Sequence, residues 1–453
     1  MKKTLFVFKT VLSLLICLTF TAGATDANYV KKLDCTVLYD EPAGPEIMVC
    51  QPSYTEEQPE RNVQEPVSNT VNTVSIPTAK EPVKVSEKEP VKLSEKESEK
   101  EPIQAVQSPE KRAVWISYLE YKKILDGKTE KQFKKNICEY FDKCAEYGFN
   151  TVIVQARSHS DAYYKSAYFP ASLWFTEKRK NTFPFDPLKI MVDEAHNRRL
   201  EIEAWVNPYR GNKTSEEFAE NDIIKIWLET DKVFVCGEYY YLNPGEPEVI
   251  DYVVGGVNEI VENYDIDGIH FDDYFYPADI GEADAATYEK YGEGKSLADF
   301  RTDCVNRLVS RVYSEIKARK NIVFGISPAG NIDNCLNKSY ADVRMWGACD
   351  GYADYLAPQL YWDYGQGALP YEKALENWKN TVINSNVKLL VGLAPYRVTE
   401  GNGNTWNSGD ILERQVTDAR TASNYGGFML FRYDFFFSDA LKTERDNLKG
   451  ILG

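Results

Sequence analysis

The segment DGIHFDDYFYP, residues 267–277, reads as a short apolar strand that runs into two adjacent carboxylates and then into aromatic residues. Side chains alternate along a strand, so His270 and Asp272 share one face. Ile269 and Phe271 share the other face, and their apolar side chains suit packing against helices. This parity predicts a buried strand whose polar face ends at a candidate site.

Seven other segments of this kind alternate with longer amphipathic stretches from residue 112 onward. The predicted strands are Ala113–Ser117, Thr151–Gln155, Ile202–Val206, Gly268–Phe271, Ile322–Ile326, Tyr355–Gln359, Lys388–Leu393 and Gly426–Phe431. The predicted helices are Glu130–Tyr147, Asp186–Arg198, Pro247–Tyr264, Leu297–Arg319, Glu372–Asn384, Gly409–Ser423 and Asp439–Ile451. Between the fifth and sixth strands the helical pattern is weaker.

Eight strand–helix units over roughly 340 residues predict an α/β fold, a closed (β/α)₈ TIM barrel with long loops. A doubly wound open sheet is the alternative. That fold usually carries a glycine-rich phosphate loop after its first strand. Here the first strand is followed by residues 116–128, ISYLEYKKILDGK, which form no such loop. The barrel, over residues 110–453, is therefore the favoured fold.

The first 24 residues have the features of a secretory signal peptide. Lys2 and Lys3 precede an apolar run from Leu5 to Phe20, and small residues at Ala22–Ala24 suit a signal peptidase. An uncleaved membrane anchor is an alternative, although the run is short for a span. Lipidation at Cys17 is disfavoured because a bulky isoleucine precedes it. We expect a protein secreted or held at the cell surface or envelope.

Residues 25–109 are expected to lie outside the barrel. Residues 25–52 form a short segment without clear periodicity. Residues 53–109 are rich in Pro, Glu, Lys and Ser and contain a near-repeat, KEPVKVSEKEPVKLSEKESEKEP, at 80–102. This composition cannot bury enough apolar surface to offset the entropy of ordering. It predicts a disordered linker, either a tether through a cell-wall layer or a passive spacer.

Charge and composition exclude several functions. The net charge of −16 and pI near 4.9 argue against nucleic acid and anionic lipid as partners, and suit a neutral or cationic substrate. The three histidines form no zinc motif, and no G-x-S-x-G elbow is present. We expect no metal or cofactor, with a Mg²⁺ or Ca²⁺ site at the adjacent aspartates as a minor alternative. The nine cysteines are scattered, and their pairing stays open.

Polar and aromatic side chains follow most predicted strands at the end where TIM barrels build their active sites. Aromatic rings can stack on sugar faces, and amide or guanidinium groups can bind hydroxyls. Trp205, inside a strand, is expected to serve core packing instead. The predicted substrate-binding residues are Arg157, His159, Asn207, Tyr209, Arg210, His270, Tyr274, Gln359, Tyr361 and Trp362.

Glycosidic cleavage usually takes two carboxyl groups, one protonated and one ionised. Asp272 is the stronger candidate for catalysis because its side chain lies on the same strand face as that of His270. Asp273, as a negative neighbour, could raise the pKa of Asp272. Both could instead cap a helix or form a buried ion pair. The predicted catalytic set is Asp272, Asp273, Asp161 and Asp363. The identity of the second carboxylate stays open, with Glu203 and Asp434 as further candidates.

An ordered series of motifs resembles the glycosyl-hydrolase-like 10 family. They are RAVWIS (112–117), GFNTVIVQARSHSDAYY (148–164), AHNRRLEIEAWVNPYR (195–210), YLNPGEPEVIDYV (241–253), YDIDGIHFDDYFYP (264–277), FGISPAGN (324–331) and YADYLAPQLYWDYG (352–365). The resemblance implies a (β/α)₈ barrel and glycoside hydrolysis. A bacterial envelope member acts on peptidoglycan strands stripped of their peptides, which suggests a cell-wall glycan as substrate.

By position, the resemblance implies an acidic pair at Asp272 and Asp273. It implies cleft residues at Asn207, Tyr209, Arg210, Gln359 and Trp362. Two departures stand out: Glu203 lies where a histidine is expected, and QARSHSDA (155–162) differs from the usual QVRPxGDA. These changes affect the expected substrate contacts more than the reaction class. The competing hypothesis is a non-catalytic glycan-binding barrel displayed at the cell surface.

Overall fold

The computed structural model describes residues 110–176, 183–220, 222–365, 367–400 and 406–452. The predicted signal peptide, the segment 25–52 and the whole of the predicted linker, 53–109, lie outside these ranges. Among the described helices, none is long and apolar enough to cross a membrane. The six described cysteines form no disulfide with one another.

Eight parallel strands close into a barrel, which confirms the predicted (β/α)₈ fold. The barrel order is β1, β2, β3, β7, β8, β9, β10 and β11, and β11 pairs with β1. The strands along the chain are β1 (Lys111–Ile116), β2 (Thr151–Arg157), β3 (Glu201–Val206), β4 (Arg210–Lys213), β5 (Val233–Cys236), β6 (Tyr239–Leu242), β7 (Gly268–Phe271), β8 (Val323–Ile326), β9 (Tyr355–Leu356), β10 (Lys388–Leu393) and β11 (Tyr425–Leu430).

All seven predicted helices are present, with shorter helices in the loops. They are α1 (Tyr118–Ile124), α2 (Glu130–Glu146), α3 (Pro187–His196), α4 (Ile223–Trp227), α5 (Pro247–Asn263), α6 (Ala285–Tyr291), α7 (Leu297–Arg319), α8 (Ile332–Asn337), α9 (Val343–Ala348), α10 (Tyr371–Lys379), α11 (Tyr396–Glu400), α12 (Ile411–Ala419), α13 (Tyr433–Phe436) and α14 (Lys442–Gly450). A 3₁₀ turn, Asp439–Leu441, precedes α14. The weak pattern between the fifth and sixth strands corresponds to α8 and α9.

Helix α2 shows how local sequence sets these elements. Thr129 and Gln132 form a capping box, in which each side chain accepts a hydrogen bond from the other's backbone N–H at the helix start. Phe133, Ile137 and Phe141, four residues apart, are fully buried. Their spacing places them on one face, which packs in the layer between helices and barrel.

Two apolar cores follow from strand parity. The outer core lies between strands and helices and includes Ile269 and Phe271, as the alternation predicts. The inner core fills the barrel and comprises Ala113, Trp115, Ile153, Trp205, Tyr355, Ala357, Leu390 and Met429. Gly325 makes room for one of these rings, because a Cβ there would lie 1.7 Å from Cζ of Tyr355.

A chain of polar groups crosses the barrel interior. The Lys111 ammonium donates to Glu203 at 2.7 Å, and the Tyr355 hydroxyl donates to the other Glu203 oxygen. Nδ1 of His270 lies 2.8 Å from that hydroxyl, and Trp115 Nε1 donates to Nε2 of His270 at 3.1 Å. Since the Tyr355 proton is directed to Glu203, Nδ1 of His270 carries the ring proton. Burial, aided by Lys111, lowers the pKa of His270 to about 3, so the ring is neutral.

This chain corrects the expectation for Glu203. The sequence suggested it as a carboxylate at the mouth of the barrel. Instead Glu203 is fully buried inside the barrel, level with Gly268 at the start of β7, and is neutralised by Lys111. It therefore stabilises the barrel interior and does not face a ligand.

An insertion after β3 carries a second sheet that the sequence did not predict. Strands β4, β6 and β5 form an antiparallel three-stranded sheet, with β6 in the centre. Each strand has only four residues, too few for a clear alternation of polar and apolar side chains. The insertion matters for function because it contributes to the cleft beside the barrel mouth.

Candidate active site

Asp272 lies at the C-terminal end of β7, on the inward face shared with His270. Only 4% of its surface is exposed. Trp205 Nε1 donates to Oδ2 at 2.9 Å, and the backbone N–H of Tyr274 donates to Oδ1 at 3.2 Å. The two donors fix the carboxyl group at the mouth of the barrel. Trp205 is thus both a core residue, as expected, and the direct partner of Asp272.

Asp273 follows directly but has a different environment. It is half-buried and lines a cavity of about 510 Å³ beside the insertion sheet. The side-chain amide of Gln359 and the positive charge of Arg210 act on its carboxyl group. Asp272 is therefore held within the mouth, while Asp273 lies on the wall of an open space.

Burial governs the ionisation of both carboxyl groups. Loss of solvent and the charge of Asp273 raise the pKa of Asp272 to about 7, against the opposing effects of Arg210 and of the Tyr274 and Trp205 hydrogen bonds. Burial also raises the pKa of Asp273, opposed by Gln359 and Arg210. Two adjacent carboxyl groups that both resist ionisation retain a proton near neutrality. The site can therefore offer one acid and one carboxylate.

Aromatic and cationic groups surround this pair. The Arg210 guanidinium lies 3.8 Å from the centre of the Tyr274 ring, and 36% of the surface of Tyr274 is exposed. The imidazole of His159 stacks on the ring of Tyr239 from the insertion, with centroids 6.0 Å apart. His159 also meets Tyr118 edge to face at 5.1 Å. The structure thus brings His159, Arg210 and Tyr274 together as predicted for a cleft.

Amide and hydroxyl groups at neighbouring strand ends have unused hydrogen-bonding capacity. Gln155 donates to Oδ1 of Asn207 at 2.8 Å, but Nδ2 of Asn207 is buried with no partner among the described residues. The hydroxyl of Ser327, just after β8, is also buried with no partner among the described residues. Buried polar atoms generally need a partner, so these groups suit a bound ligand or water.

Gln359, Tyr361 and Trp362 lie after the sixth barrel strand. Gln359 donates to the Ser327 carbonyl oxygen at 3.3 Å, and its side chain also acts on the carboxyl group of Asp273. Tyr361 packs edge to face on Tyr396, and the charges of both site aspartates act on its hydroxyl. Trp362 is half-buried and packs against the outer core. Gln359 and Tyr361 thus border the acidic pair, and the role of Trp362 as a substrate contact stays a prediction.

Three predicted substrate-binding residues lie in the protein interior: Arg157, Tyr209 and His270, which is held between Trp115 and Tyr355 inside the barrel. Arg157 is buried, donates to the backbone carbonyls of Asn207 and Pro208, and stacks on Phe169. Tyr209 is fully buried in the outer core, where Cys304 and Arg307 of α7 act on its hydroxyl. This burial does not fit the predicted substrate contacts of Arg157 and Tyr209. Both instead support the loops of the mouth.

Asp161 holds a tight turn. Its Oδ1 accepts hydrogen bonds from the backbone N–H groups of Ser158 and His159 and from the Ser158 hydroxyl. This arrangement gives Asp161 a clear structural task in positioning His159. Its catalytic role remains only a sequence prediction.

The two other carboxylate candidates also differ from the central pair. Asp434 pairs with Lys123 and accepts a hydrogen bond from Tyr140 at 3.1 Å, so it joins α13 to α1 and α2. Asp363 is half-buried, and its backbone carbonyl accepts from the N–H of Tyr371 at the start of α10. Catalysis by Asp363 stays a prediction.

Two residues of the cleft were missed by sequence reasoning. Tyr239 and Tyr241 of β6 lie on the wall of the cavity that also contains Asp273. The run EYYYL at residues 238–242 was the available signal, because tyrosine rings combine an apolar face with a polar hydroxyl and suit a partly exposed wall.

A closed barrel of eight parallel strands, with an acidic pair at the C-terminal end of one strand, defines the class as a TIM-barrel protein. The chain belongs to the glycosyl hydrolase-like 10 family, which matches residues 110–408. The family resemblance and the fold predicted from the sequence are thereby confirmed.

Relatives support this assignment. Glycosyl hydrolase YngK of Bacillus subtilis strain 168 is 37% identical over 355 residues, covering 71% of this chain and 68% of YngK. Glycosyl hydrolase DigH of Escherichia coli K12 is 32% identical over 326 residues, covering 65% of this chain and 74% of DigH. The PgaB (BpsB) glycoside hydrolase domain of Bordetella bronchiseptica has a similar fold, with TM-score 0.50 and 16% identity, covering 75% of this chain and 99% of that domain.

Proposed function

We propose that the chain hydrolyses glycosidic bonds of a cell-wall-type polysaccharide, with peptide-free peptidoglycan glycan strands as the substrate. The observation that carries this proposal is the Asp272–Asp273 pair at the barrel mouth, in which Asp272 is buried and Asp273 is half-buried. Asp272 is held by Trp205 and Tyr274, and Asp273 opens onto a cavity with aromatic walls. The predicted export of the chain would bring it to such a substrate.

In the proposed reaction, Asp272 is the general acid. Its raised pKa keeps a proton available near neutral pH, and that proton passes to the glycosidic oxygen as the C–O bond breaks. Asp273, near Arg210 and Gln359, is the second carboxyl group in this proposal, and in its ionised form it stabilises the positive charge that develops on the sugar ring. A water molecule then forms a bond to the anomeric carbon through its oxygen and gives a proton to the Asp272 carboxylate, which restores the acid. Exposed Tyr274 and the ring of Tyr239 offer surfaces for neighbouring sugars.

The direct test is the release of reducing ends from purified glycan strands. The chain is incubated with peptide-free strands, with intact peptidoglycan and with an uncharged polysaccharide such as cellulose. We expect new reducing ends from the peptide-free strands in preference to the other two. Binding of the strands without any new reducing ends would instead support the non-catalytic glycan-binding barrel.

A second prediction concerns the pH profile. Trp205→Phe removes the hydrogen bond to Oδ2 that favours the ionised form of Asp272, so the pKa of Asp272 should rise further. We expect the high-pH limb of kcat to move upward by about half a pH unit or more. We also expect kcat to fall more than KM changes, because the acid is held less firmly.

Trp115→Phe is the matched control for that variant. Trp115 is a tryptophan of the same inner core, but its indole N–H donates to His270 and not to Asp272. The Trp115→Phe substitution removes a similar side-chain volume and one hydrogen bond. It should leave the high-pH limb of kcat unchanged. Equal shifts in both variants would show that general loosening of the core, and not the bond to Asp272, controls the ionisation.

A further inference from the structure

Three inward side chains lie side by side at the mouth of the barrel. The last residues of β3, β7 and β8 are level with one another in the sheet and point into the outer core. The residue after each of them points inward, because side chains alternate along extended chain. These inward residues are Asn207, Asp272 and Ser327. Neighbouring strands are about 4.8 Å apart, so Asp272 has Asn207 on one side and Ser327 on the other.

The backbone confirms that Ser327 is level with Asp272. Its N–H donates to the Phe271 carbonyl oxygen at 2.8 Å, so the ladder between β7 and β8 extends one residue past both strands. The three side chains also lie at a similar depth, since Asn207 is 0%, Ser327 1% and Asp272 4% exposed. A sugar that reaches the carboxyl group of Asp272 therefore reaches its two neighbours as well.

Asn207 and Ser327 each carry a buried polar atom that has no hydrogen-bond partner within the described part of the chain. These atoms are Nδ2 of Asn207 and the hydroxyl oxygen of Ser327. Neither of them holds Asp272, whose oxygens accept from Trp205 and Tyr274. An unpaired buried polar group destabilises a fold, so two of them on either side of a candidate acid point to a ligand.

The direction of the Asn207 amide follows from a relay that starts at a backbone group. The N–H of Tyr118 can only donate, and it donates to Oε1 of Gln155 at 2.9 Å. The Gln155 amide therefore directs Nε2 toward Asn207, where it donates to Oδ1 at 2.8 Å. Oδ1 of Asn207 is an acceptor in this relay, so the NH₂ group is left to donate to a ligand. The Ser327 hydroxyl can donate on the other side of Asp272.

We propose that Asn207 and Ser327 hold, by hydrogen bonds, the sugar unit whose glycosidic bond is broken, one on each side of Asp272. This inference rests on the proposed glycan hydrolysis and assigns contacts within that site. The matching groups of the ligand are hydroxyl or acetamido oxygens of the sugar, which accept hydrogen bonds. Gln155 is a positioning residue, because it keeps the Asn207 amide turned so that it donates to the sugar.

The first test is Ser327→Ala in the Asp272→Asn background, with calorimetric binding of an N-acetylglucosamine tetramer. We expect about five-fold weaker binding, because one hydrogen bond to the sugar is lost. The midpoint of thermal unfolding should stay the same or rise, because the hydroxyl has no partner within the described chain. A lower midpoint with unchanged binding would make Ser327 a structural residue and overturn its assignment.

Tyr433→Phe, in the same background, is the matched control. It also removes a buried hydroxyl that lacks a partner among the described residues, but Tyr433 lies in the outer core, where its ring stacks on Tyr140 of α2. Its unfolding midpoint should respond as that of Ser327→Ala does, whereas tetramer binding should be unchanged. An equal loss of binding in both variants would show that removing any buried hydroxyl loosens the barrel, and the contact assigned to Ser327 would be wrong.

Gln155→Glu tests the positioning role through pH. The introduced carboxylate still accepts from the Tyr118 N–H but cannot donate, so the Asn207 amide turns and presents its oxygen to the sugar. Relative to the Asp272→Asn parent at the same pH, we expect at least five-fold weaker tetramer binding at pH 8. At pH 5 the affinity should recover, because a protonated carboxyl group can donate again. Binding that is equally weak at both pH values, or unchanged at pH 8, would overturn the role of Gln155.

Binding separates this inference from the proposed reaction. Weaker tetramer binding in Ser327→Ala supports the sugar contacts even if no strand is ever cleaved. If strands are cleaved and Ser327→Ala alone leaves both kcat/KM and tetramer affinity unchanged, the contacts are wrong while the reaction stands. A parent Asp272→Asn variant that binds no tetramer would also overturn the contacts.

Discussion

Substituting Asp272 by Asn is expected to lower kcat on glycan strands by about 10²- to 10⁴-fold, the usual contribution of a general acid. The amide is nearly isosteric with the carboxyl group but cannot release a proton to the leaving oxygen. KM should change much less, because most sugar contacts remain. The measurement is the rate of reducing-end release, with folding checked by thermal unfolding.

The pH dependence sharpens this prediction. Because the acid must be protonated, wild-type activity should fall as the pH rises through about 7, the raised pKa of Asp272. The residual activity of Asp272→Asn should lack that decline. Asp265→Asn is the matched control, since Asp265 is exposed and precedes the same strand at the opposite end. Full activity in Asp272→Asn would exclude Asp272 as the acid and leave Asp273 as the first alternative.

Substituting Lys111 by Met is expected to destabilise the fold by about 3–5 kcal/mol, the range for breaking a buried ion pair. Glu203 is fully buried, and Lys111 at 2.7 Å is the cation that neutralises it. Without Lys111, the Glu203 carboxylate would lie in the barrel interior with the Tyr355 hydroxyl as its remaining hydrogen-bond donor among the described residues. Urea unfolding should show the loss as a lower midpoint at an unchanged slope.

Two further variants test the cause of that loss. Glu203→Gln in the Lys111→Met background removes the buried negative charge that has lost its cation. It should recover most of the lost free energy of unfolding. Lys189→Met removes an exposed pair with Asp193 on α3 and should change stability by less than about 0.5 kcal/mol. If the double variant is no more stable than Lys111→Met, the aliphatic packing of Lys111 and its contact with Glu201 are responsible instead.

Local sequence patterns were sufficient for the barrel. The eight strands and seven helices have the periods and lengths that their own residues dictate, and the ends differ by a few residues. Among the strands the sixth differs most: it was predicted as Tyr355–Gln359 and is Tyr355–Leu356, followed by isolated bridges at Gln359. Parity within β7 also correctly placed His270 and Asp272 inward, because alternation along a strand is a local property.

The roles of side chains whose partners are distant in sequence could not be predicted from local patterns. Arg157 and Tyr209 follow strands as site residues do, yet their side chains are buried beneath the loops. Glu203 follows the inward parity but lies too deep in the barrel, where Lys111 from another strand compensates its charge. Each outcome depends on depth along the barrel axis and on a partner remote in sequence. Neither quantity has a local signature.

The sequence by itself determined the class of fold, the family and the position of the acidic pair, because periodicity and ordered motifs are carried by neighbouring residues. Only the tertiary structure decided which groups act on that pair. It placed the Trp205 indole on Asp272 and a tyrosine-lined insertion beside Asp273. Those contacts join residues some 30 to 70 positions apart. Burial of Asp272 at this place raises its pKa to about 7, close to neutral pH.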